Sequence, residues 1–529
     1  MDLMVIMVIA DTQEGATVII ATTEKPFTEK IWWRCVRRGA PVYVAVILRA
    51  GAFLGMKKTL LFALALIAVG CAESTLPLNV VLIVIDDLGW IDTGVYGSSF
   101  YETPHIDQLA ARGARFSQFY TASAVCSPTR ASLMTGKHPA RLDITNWIGG
   151  EQNGLLQQAT YERQLPLEET TIGEAFRDNG YATGYVGKWH LGREGFMPEL
   201  QGFDFTATVN HAGQPGSYFS PYGNENSPRN AVPDLEGDSA GSYLTDRLTD
   251  VSLDFIQRNR DQPFFLTLSH YSVHTPLQAP EETVARYDRK AAALGPETEE
   301  HYESERDAST KLRQDHATYA AMIKSTDESV GRIVEKIREL GIEEHTAVVF
   351  VSDNGGLSTL MRKSFNQATA NMPLRAGKGW LYEGGIRAPL IVAAPGAPAG
   401  LDIAQPTTSN DLYPTLLELA GLTQMPEQHL DGESLASAIF GQGGAAERPL
   451  YWHFPHYHGS GNRPSGAIRW GDLKLIEWFE DGGFELYDLS ADLGERRDLV
   501  GERPEDAARL LGELQRWRGE VGANMPTPR

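Results

Sequence analysis

The residues with the clearest chemical potential lie in the stretch 126–136, where Cys126 stands two residues before Pro128 and four before Arg130. A cysteine in such a place can be a small buried apolar residue or half of a disulfide. Alternatively, Cys126 is the source of a nucleophile, and Arg130 holds either that nucleophile or an anionic substrate. The remaining sequence decides among these three interpretations.

The N-terminal region bears on this choice because it predicts export. Met56 and two lysines precede an apolar run over residues 60–69, a pattern typical of a secretory signal. Residues 68–71 resemble a bacterial lipoprotein cleavage box, so we predict a lipoprotein-type signal peptide over 56–71, with Cys71 as the lipidated first residue. The alternative is ordinary cleavage near Ala72 and a free protein. Either way we expect an exported protein, periplasmic or on the cell surface. If Cys71 is lipidated, the protein contacts a membrane only through that lipid.

Cysteine usage then separates Cys126 from the two other cysteines of the chain. Cys35 lies in residues 1–55, whose short apolar runs differ from the rest of the chain. We interpret residues 1–55 as an over-extended start, with translation beginning at Met56; the alternative is a genuine N-terminal extension. Since Cys71 lies at the cleavage site, Cys126 has no disulfide partner, and its presence in an exported chain needs a chemical reason.

The composition is that of a soluble globular protein. The chain has 529 residues, of which 42% are hydrophobic and 22% charged, which is enough for a large core and more than one domain. Its formal net charge of -21 argues against general nucleic-acid binding. An anionic substrate must therefore be held by a few local cations.

Several predicted strands end just before polar residues. Residues 79–85 contain a continuous apolar, β-branched run, typical of a central strand buried on both faces, and lead into Asp86. Further strands are predicted near 182–186, 263–268 and 347–351, leading into Lys188, His274 and Asp353. Helices predicted near 171–178 and 318–340 alternate with them, which indicates a layered α/β domain with a mainly parallel sheet. Ligand sites of such sheets gather at the carboxyl ends of the strands, so these side chains should share one site.

The chain changes character after the glycine-rich residues 441–444. Short strands are predicted near 450–454, 467–469, 473–479 and 484–489, followed by a helix over about 505–521. We therefore predict a catalytic domain over 75–444 and a smaller α+β domain over 445–529. The charged segment 281–313 is predicted to be an irregular surface excursion.

Two acidic clusters suggest a metal. Asp86 and Asp87 follow a buried strand, where like charges repel each other unless a cation lies between them. Asp353 and Asn354 form a second oxygen-rich cluster at another strand end. Such ligands suit a hard cation, Ca²⁺ or Mg²⁺. Taken separately, each cluster can equally serve a loop or a helix cap.

Taken together, the motifs resemble the formylglycine-dependent (type I) sulfatases of the alkaline phosphatase superfamily. The matching segments, in family order over about residues 79–490, are 126–136, 187–192, 274–276, 353–356, 377–379, 382–387 and 411–415. The resemblance implies an alkaline-phosphatase-like α/β domain with a large central, mostly parallel mixed sheet flanked by helices. It also implies that the smaller C-terminal α+β domain contains an antiparallel sheet.

The resemblance explains the isolated cysteine. In that family a separate maturation enzyme oxidises the motif cysteine to formylglycine and recognises the Cys, Pro and Arg of the motif, here Cys126, Pro128 and Arg130. The hydrated aldehyde has two geminal hydroxyls, one to attack sulfur and one to expel sulfate afterwards. A serine could attack but would have no second hydroxyl.

Further roles are implied by position. Ca²⁺, or Mg²⁺, would be held by Asp86, Asp87, Asp353, Asn354 and the converted residue 126. Asp353 would be the base for the attacking hydroxyl, and Arg130, Lys188 and Lys378 would surround the sulfuryl group with positive charge. His274, with Lys378, would donate a proton to the leaving alcohol. His190 would orient the hydrate and help to deprotonate its second hydroxyl.

We therefore expect a sulfatase that cleaves the S–O bond of a sulfate ester, on carbohydrate from an external polysaccharide or on a small sulfate ester. One alternative is a phosphonate monoester or phosphodiester hydrolase of the same superfamily. Another is a non-catalytic, glycan-binding surface lipoprotein.

Three histidines occur within six residues of the C-terminal region: His453, His456 and His458. They could bind a transition metal, although no acidic or cysteine partner accompanies them. We predict instead that this segment lines the mouth of the pocket and contacts substrate through His456 or His458. The alternative is a loop that packs between the domains.

Overall fold

The computed structural model describes residues 4–12, 15–23, 48–49, 77–152, 154–223, 225–226, 228–361, 367–444 and 446–529. The chain divides into two compact units, Met1–Thr75 and Leu76–Arg529. In the first unit, strand Met4–Thr12 pairs antiparallel with Gly15–Thr23 and with Leu48–Arg49. The predicted signal peptide, including Cys71, lies outside the described residues, and the interpretation of residues 1–55 stays a prediction.

The second unit is built around an eight-stranded sheet. Its strands lie in the order Leu401–Ile403, Ala114–Phe116, Leu390–Ala393, Thr346–Ser352, Asn79–Ile85, Phe264–Ser269, Ala182–Gly187 and Phe205–Ala207. Leu390–Ala393 runs antiparallel to both neighbours, and the other pairs are parallel. The predicted mixed, mostly parallel central sheet is confirmed.

Both faces of this sheet are buried, as the apolar run of the central strand predicts. Alternate side chains of Asn79–Ile85, beginning with Val81, enter one apolar cluster, and those beginning with Val80 enter the cluster on the opposite face. Burying each such side chain contributes roughly 1.5–3 kcal/mol. A slip of one residue would exchange the two faces, so packing fixes where Asp86 emerges.

Helices cover both faces of the sheet. The helices longer than one turn are Pro104–Arg112, Cys126–Thr135, Ile172–Asp178, Leu244–Asn259, Glu281–Ala293, Ala317–Glu339, Leu412–Leu419 and Pro504–Val521. Two short ones are Glu383–Ile386 and Ala436–Ile439. The helix predicted near 318–340 is present as Ala317–Glu339. Gly341 follows it with a φ of +67°, the left-handed backbone conformation in which many α-helices end.

The prediction for residues 281–313 is wrong. This segment contains the helix Glu281–Ala293 and the hairpin strands Tyr302–Glu305 and Ala308–Lys311. Tyr287 is the buried residue of that helix, Val284 and Ala291 pack partly buried against the core, and the other faces carry mostly charged, exposed side chains. Its charged composition therefore hides the helical periodicity.

Thr359–Leu360 pairs with the hairpin, and the two-stranded pairs are Phe119–Tyr120 with Thr407–Thr408 and Leu156–Gln157 with Thr527–Pro528.

The C-terminal region forms the expected antiparallel sheet. Its strands, in spatial order, are Leu450–Phe454, Ser465–Trp470, Leu473–Trp478 and Phe484–Asp488. One face packs with Trp380 and Tyr382, and the other packs with the helix Pro504–Val521. The sheet is therefore held between its own helix and the segment that follows Lys378. The boundary predicted at residue 444 stays a prediction.

None of the helices in the described part of the chain combines the length and the apolar character needed to cross a bilayer.

Gly187, the last residue of strand Ala182–Gly187, shows how closely the strand ends approach each other. Its φ is +99°, and a Cβ atom there would lie 2.0 Å from the carbonyl oxygen of Ser269 on the neighbouring strand. Lys188 follows directly, and its N–H donates to the same carbonyl at 2.8 Å. Only glycine fits this position, which places Lys188.

We expect Gly187→Ala to lower the free energy of unfolding by about 2 kcal/mol or more, because the clash adds to the backbone strain. Urea denaturation measures this. Gly512→Ala is the matched control, since a Cβ there meets nothing within 4 Å and the residue lies within the helix Pro504–Val521. That control should be neutral or slightly stabilising. Equal stability of the two variants would contradict the steric argument.

Candidate active site

The predicted site residues converge at one edge of the central sheet. Asp86 and Asp353 directly follow the parallel strands Asn79–Ile85 and Thr346–Ser352, and Lys188 follows Ala182–Gly187. His274 lies a few residues beyond the end of Phe264–Ser269. Because these strands are neighbours and parallel, their carboxyl ends meet at the same edge.

The motif cysteine begins a buried helix. Cys126 is the first residue of Cys126–Thr135, in which every residue is buried. Four-residue spacing places Cys126 and Arg130 on the same face of that helix. The Arg130 guanidinium donates to an Asp353 carboxylate oxygen at 2.8 Å and to the Lys188 carbonyl at 2.9 Å. Arg130 therefore positions Asp353 and is not in the wall of the cavity described below.

Three buried carboxylates are each paired with one cation. The nitrogen–oxygen distances are 2.5 Å for Lys188–Asp86, 2.6 Å for Lys378–Asp87 and 2.7 Å for Arg130–Asp353. These side chains are at most 8% exposed. Removing one partner of such a buried pair costs roughly 3–5 kcal/mol, because it leaves an uncompensated charge. The arrangement is thus strongly specified.

Asp86 and Asp87 differ in their titration. Burial, together with repulsion from Asp353 and Asp87, raises the pKa of Asp86 to about 7, despite the nearby Lys188. For Asp87, burial is outweighed by Lys378, His274 and Lys188, which hold its pKa below the usual range. One more positive charge nearby would therefore stabilise the ionised form of these carboxylates, and the effect would be largest for Asp86.

The donor set fits a hard divalent cation. Ligand atoms of Asp86, Asp87, Cys126 and His274 lie within 4.8 Å of one another. The Asn354 amide donates to an Asp87 carboxylate oxygen at 2.8 Å, while its own buried Oδ1 accepts no hydrogen bond from the described residues. An unpartnered amide oxygen beside carboxylates is the kind of ligand that Ca²⁺ or Mg²⁺ takes. Asp353 is not one of these four residues, and its oxygens accept from the Asp87 N–H and from Arg130.

Two residues of the site have strained backbones. Asp87 has a φ of 62° and His190 a φ of 57°. Left-handed conformations are uncommon for residues other than glycine and cost about 1 kcal/mol or more. The surrounding packing therefore holds both side chains in place against an intrinsic preference.

A cavity of about 490 Å³ opens above Cys126. The predicted residues in its wall are Asp87, Cys126, His190, His274, Lys378 and His458. The Cys126 sulfur lies 3.5 Å from Asp86 Oδ1 and 3.4 Å from Lys378 Nζ. Burial raises the pKa of the Cys126 thiol to about 12, so the thiol is not ionised at neutral pH and is a poor nucleophile. The unmodified thiol is therefore poorly suited to be the nucleophile itself.

The two histidines predicted to transfer protons are neutral. His190 donates from Nε2 to the Ile148 carbonyl at 3.3 Å, which leaves its buried Nδ1 as an acceptor without a partner among the described residues. His274 donates from Nδ1 to the Thr275 carbonyl at 2.9 Å, so its Nε2, 3.6 Å from Asp87, carries no proton. Burial and Lys378 lower the pKa of His274 to about 3. Burial also lowers the pKa of His190, well below its ordinary value.

Lys378 is the group beside Cys126 that keeps its proton. Burial alone would lower its pKa, but Asp87 and the other neighbouring acids raise it above the ordinary value. Asp86, rather than the predicted base Asp353, is the carboxylate in contact with Cys126.

The prediction for His456 is wrong. His456 is fully buried, its Nε2 lies 2.8 Å from Thr145 Oγ1, and it does not line the cavity. His453 is also buried and lies 2.8 Å from the Asn524 carbonyl. Successive side chains here point in different directions, so the three histidines form no metal group in the described part of the chain. His458 alone reaches the cavity wall, beside Gly379.

Other wall residues escaped prediction from sequence. They are Trp147, Ile148, Gly149, Arg193, His211, Ala212, Gly213, Gln214, Asn230 and Leu357. They lie outside the matching motifs, although Arg193 and Leu357 each directly follow one, and Asn230 ends the short 3-10 helix Pro228–Asn230. Gly213 is packed so closely on His190 that a Cβ there would lie 2.6 Å from the imidazole ring. A glycine after a polar stretch is too common a signal to reveal this contact.

Comparison with known proteins identifies the family. A family model described as Sulfatase matches residues 78–422, and one described as N-sulphoglucosamine sulphohydrolase, C-terminal, matches residues 376–517. The chain belongs to the sulfatase family. The predictions of family, fold class and enzyme class are confirmed, and this sulfatase is a sulfuric ester hydrolase. Membership implies formylglycine at the motif cysteine and a metal ion beside it.

Individual relatives cover most of the chain. N-acetylgalactosamine-6-sulfatase of Sus scrofa is 34% identical, over 74% of this chain and 72% of that protein. Human arylsulfatase A is 33% identical, over 89% of this chain and 92% of that protein. The crystal structure of Ps i-CgsB is similar with a TM-score of 0.67 and 30% identity, covering 83% of this sulfatase and 92% of that chain. The same protein is known in complex with k-i-k-neocarrahexaose, with a TM-score of 0.65 to this chain.

We expect Ca²⁺ or Mg²⁺, added to chelator-treated protein, to raise the Tm by about 3 °C or more, since an ion that binds only the folded state stabilises it. Thermal unfolding with and without the ion measures this shift. Asn354→Leu removes the unpartnered oxygen and should at least halve the shift. Asp402→Asn, at an exposed pair with Arg115, should keep it. An equal shift in the Asn354 variant would argue against the site.

His456 and His458 provide a second test. The His458 Nδ1 accepts from the Ser460 N–H at 3.2 Å, so Nε2 carries the proton of the neutral ring and is free to donate to a bound oxygen. We expect His458→Ala to raise the KM for a sulfated saccharide by about tenfold, the typical effect of one hydrogen bond to a charged group. His456→Ala should lower the Tm and leave KM within about twofold. The reverse pattern would show that His456 contacts substrate.

Proposed function

We propose that this sulfatase hydrolyses a sulfate ester of a carbohydrate, with formylglycine generated at position 126 and Ca²⁺ as the metal. One observation carries the proposal: residue 126 lies in the floor of a cavity, in contact with both Asp86 and Lys378. A carboxylate and an ammonium group thus both contact the position at which the reaction would take place. Mg²⁺ has the same ligand preferences and remains the alternative ion.

Formylglycine and a metal ion would supply defined chemistry at this site. A formylglycine hydrate at position 126 would offer one hydroxyl for attack on sulfur and a second for release of sulfate, and a bound metal would polarise a sulfate oxygen. Asp86, Asp87 and Asn354 would hold the metal, and Arg130 keeps Asp353 beside them. A separate maturation enzyme that recognises residues 126–130 would convert Cys126.

The remaining residues act on protons and charge. Lys378 holds a positive charge 3.4 Å from the Cys126 sulfur, where charge develops on a sulfuryl oxygen or on the leaving alcohol. Of the two predicted proton donors, Lys378 is the protonated one, and His274 is neutral. His190 presents its free Nδ1 as an acceptor for a hydroxyl proton.

The carbohydrate assignment is supported by the cavity wall and by the relatives. An aromatic ring from Trp147 and amides from Gln214 and Asn230 suit sugar faces and hydroxyls. A volume of about 490 Å³ is within the usual range for a small ligand. One relative is an N-acetylgalactosamine-6-sulfatase, and another is known with a carrageenan-type hexasaccharide.

From the predicted signal we infer export to the periplasm or cell surface, with lipid attachment at Cys71.

The test compares ester classes on enzyme co-expressed with a maturation enzyme. The panel is 4-nitrocatechol sulfate, N-acetylgalactosamine 6-sulfate, a neocarrabiose sulfate, and matched 4-nitrophenyl sulfate and 4-nitrophenyl phosphate. We expect kcat/KM on the sulfate to exceed that on the matched phosphate by at least about 100-fold, a difference in transition-state binding. A higher kcat/KM on the phosphate would contradict the proposal. Inactivity on both saccharides would contradict the carbohydrate assignment.

Variants of residue 126 test the mechanism. Cys126→Ala should lower kcat by about 1,000-fold or more, because no nucleophile remains. Cys126→Ser should react once and retain sulfate on the serine, which intact-protein mass would show. Sustained turnover by Cys126→Ser would contradict the need for two hydroxyls.

A further inference from the structure

An arginine with no partner among the described residues lies in the wall of the cavity above Cys126. Arg193 lines this cavity and is exposed. Among the lysine and arginine side chains that the structure describes, those with neither a hydrogen bond nor an ion pair are Arg193, Arg289 and Arg529. Arg193 is the one of these three that lines the cavity.

The backbone of Arg193 is fixed relative to the catalytic residues. Arg193 begins a turn in which the Phe196 N–H donates to its carbonyl at 2.8 Å. The fully buried Trp189 holds this turn by donating to the Phe196 carbonyl at 2.9 Å. At Gly192, a Cβ would lie 2.6 Å from Phe196 Cβ, so the turn is tightly packed. Arg193 thus follows His190 on one rigid segment.

The charge of Arg193 is not used by any group of the described chain. Lys378, the other lysine or arginine in the wall, is paired with Asp87. In a protein of net charge -21, acidic partners are plentiful and most surface arginines find one. An arginine left free in the wall of a binding cavity is therefore available to a ligand.

We propose that Arg193 binds a second anionic group, a carboxylate or a second sulfate, on the carbohydrate whose sulfate ester is cleaved. A guanidinium forms paired hydrogen bonds with either group, which gives direction as well as charge. This inference rests on the proposed function and names its substrate class more narrowly. The scissile sulfate lies over residue 126, and Arg193 selects saccharides with a further anion nearby.

The experiment measures inhibition constants against the panel substrate with the highest kcat/KM. The competing saccharides are N-acetylgalactosamine 6-sulfate, N-acetylgalactosamine 4,6-disulfate and glucuronyl-N-acetylgalactosamine 6-sulfate. The first has one anionic group, the second adds a sulfate and the third adds a carboxylate. We expect wild type to bind at least one of the two dianions about tenfold more tightly than the monoanion, as charge-assisted hydrogen bonds imply. The tighter dianion identifies the group.

Variants assign this preference to one residue. Arg193→Gln should reduce the ratio of the inhibition constants to near one, and Arg193→Lys should keep part of it. Arg289→Gln, which removes an equally free cation outside the cavity, should keep the full ratio. Equal binding of all three saccharides by wild type would overturn the inference, as would an unchanged ratio in Arg193→Gln or an equal loss in Arg289→Gln. If the proposed function itself were wrong, the enzyme would hydrolyse no saccharide sulfate, and this result distinguishes its failure from failure of the Arg193 inference.

Discussion

The site depends on keeping three carboxylates buried together at the ends of adjacent strands. Like charges in such a place repel, and each is made tolerable by its own cation: Lys188 for Asp86, Lys378 for Asp87 and Arg130 for Asp353. The three cations come from three distant segments of the chain. The strand ends, the motif helix and the segment around Lys378 must therefore assemble together, or a buried charge is left unpaired.

The same constraint explains the local backbone. Gly187 is required because Lys188 leaves its strand against the Ser269 carbonyl, and Asp87 and His190 adopt left-handed conformations to aim their side chains. Burial of the large apolar clusters on both faces of the sheet offsets the free-energy cost of this backbone strain. The strand ends therefore hold the residues of the reacting position, and much of the remaining cavity wall comes from loops.

The C-terminal sheet contributes to the site through a second buried network. Lys474 of strand Leu473–Trp478 lies 3.0 Å from Glu383 and 2.8 Å from Glu495, and all three side chains are fully buried. Glu383 follows Lys378 in the chain by five residues. The network thus ties the sheet to the segment that carries Lys378, and from the same sheet region His458 reaches the cavity. Buried ion pairs of this kind specify an arrangement more than they stabilise it.

The sequence by itself determined the fold class and the core of the site. The apolar run of residues 79–85 predicted a doubly buried strand, and motif order predicted which side chains would meet, because parallel strands bring their carboxyl ends to one edge. The amphipathic helix in 281–313 was hidden by its charged surface. Tertiary structure alone decided that Arg130 positions Asp353, that His456 is buried while His458 lines the cavity, and that Arg193 finds no partner in the described part of the chain. The physical reason is that burial and pairing depend on which distant loop packs beside a residue, and spacing along the chain does not contain that information.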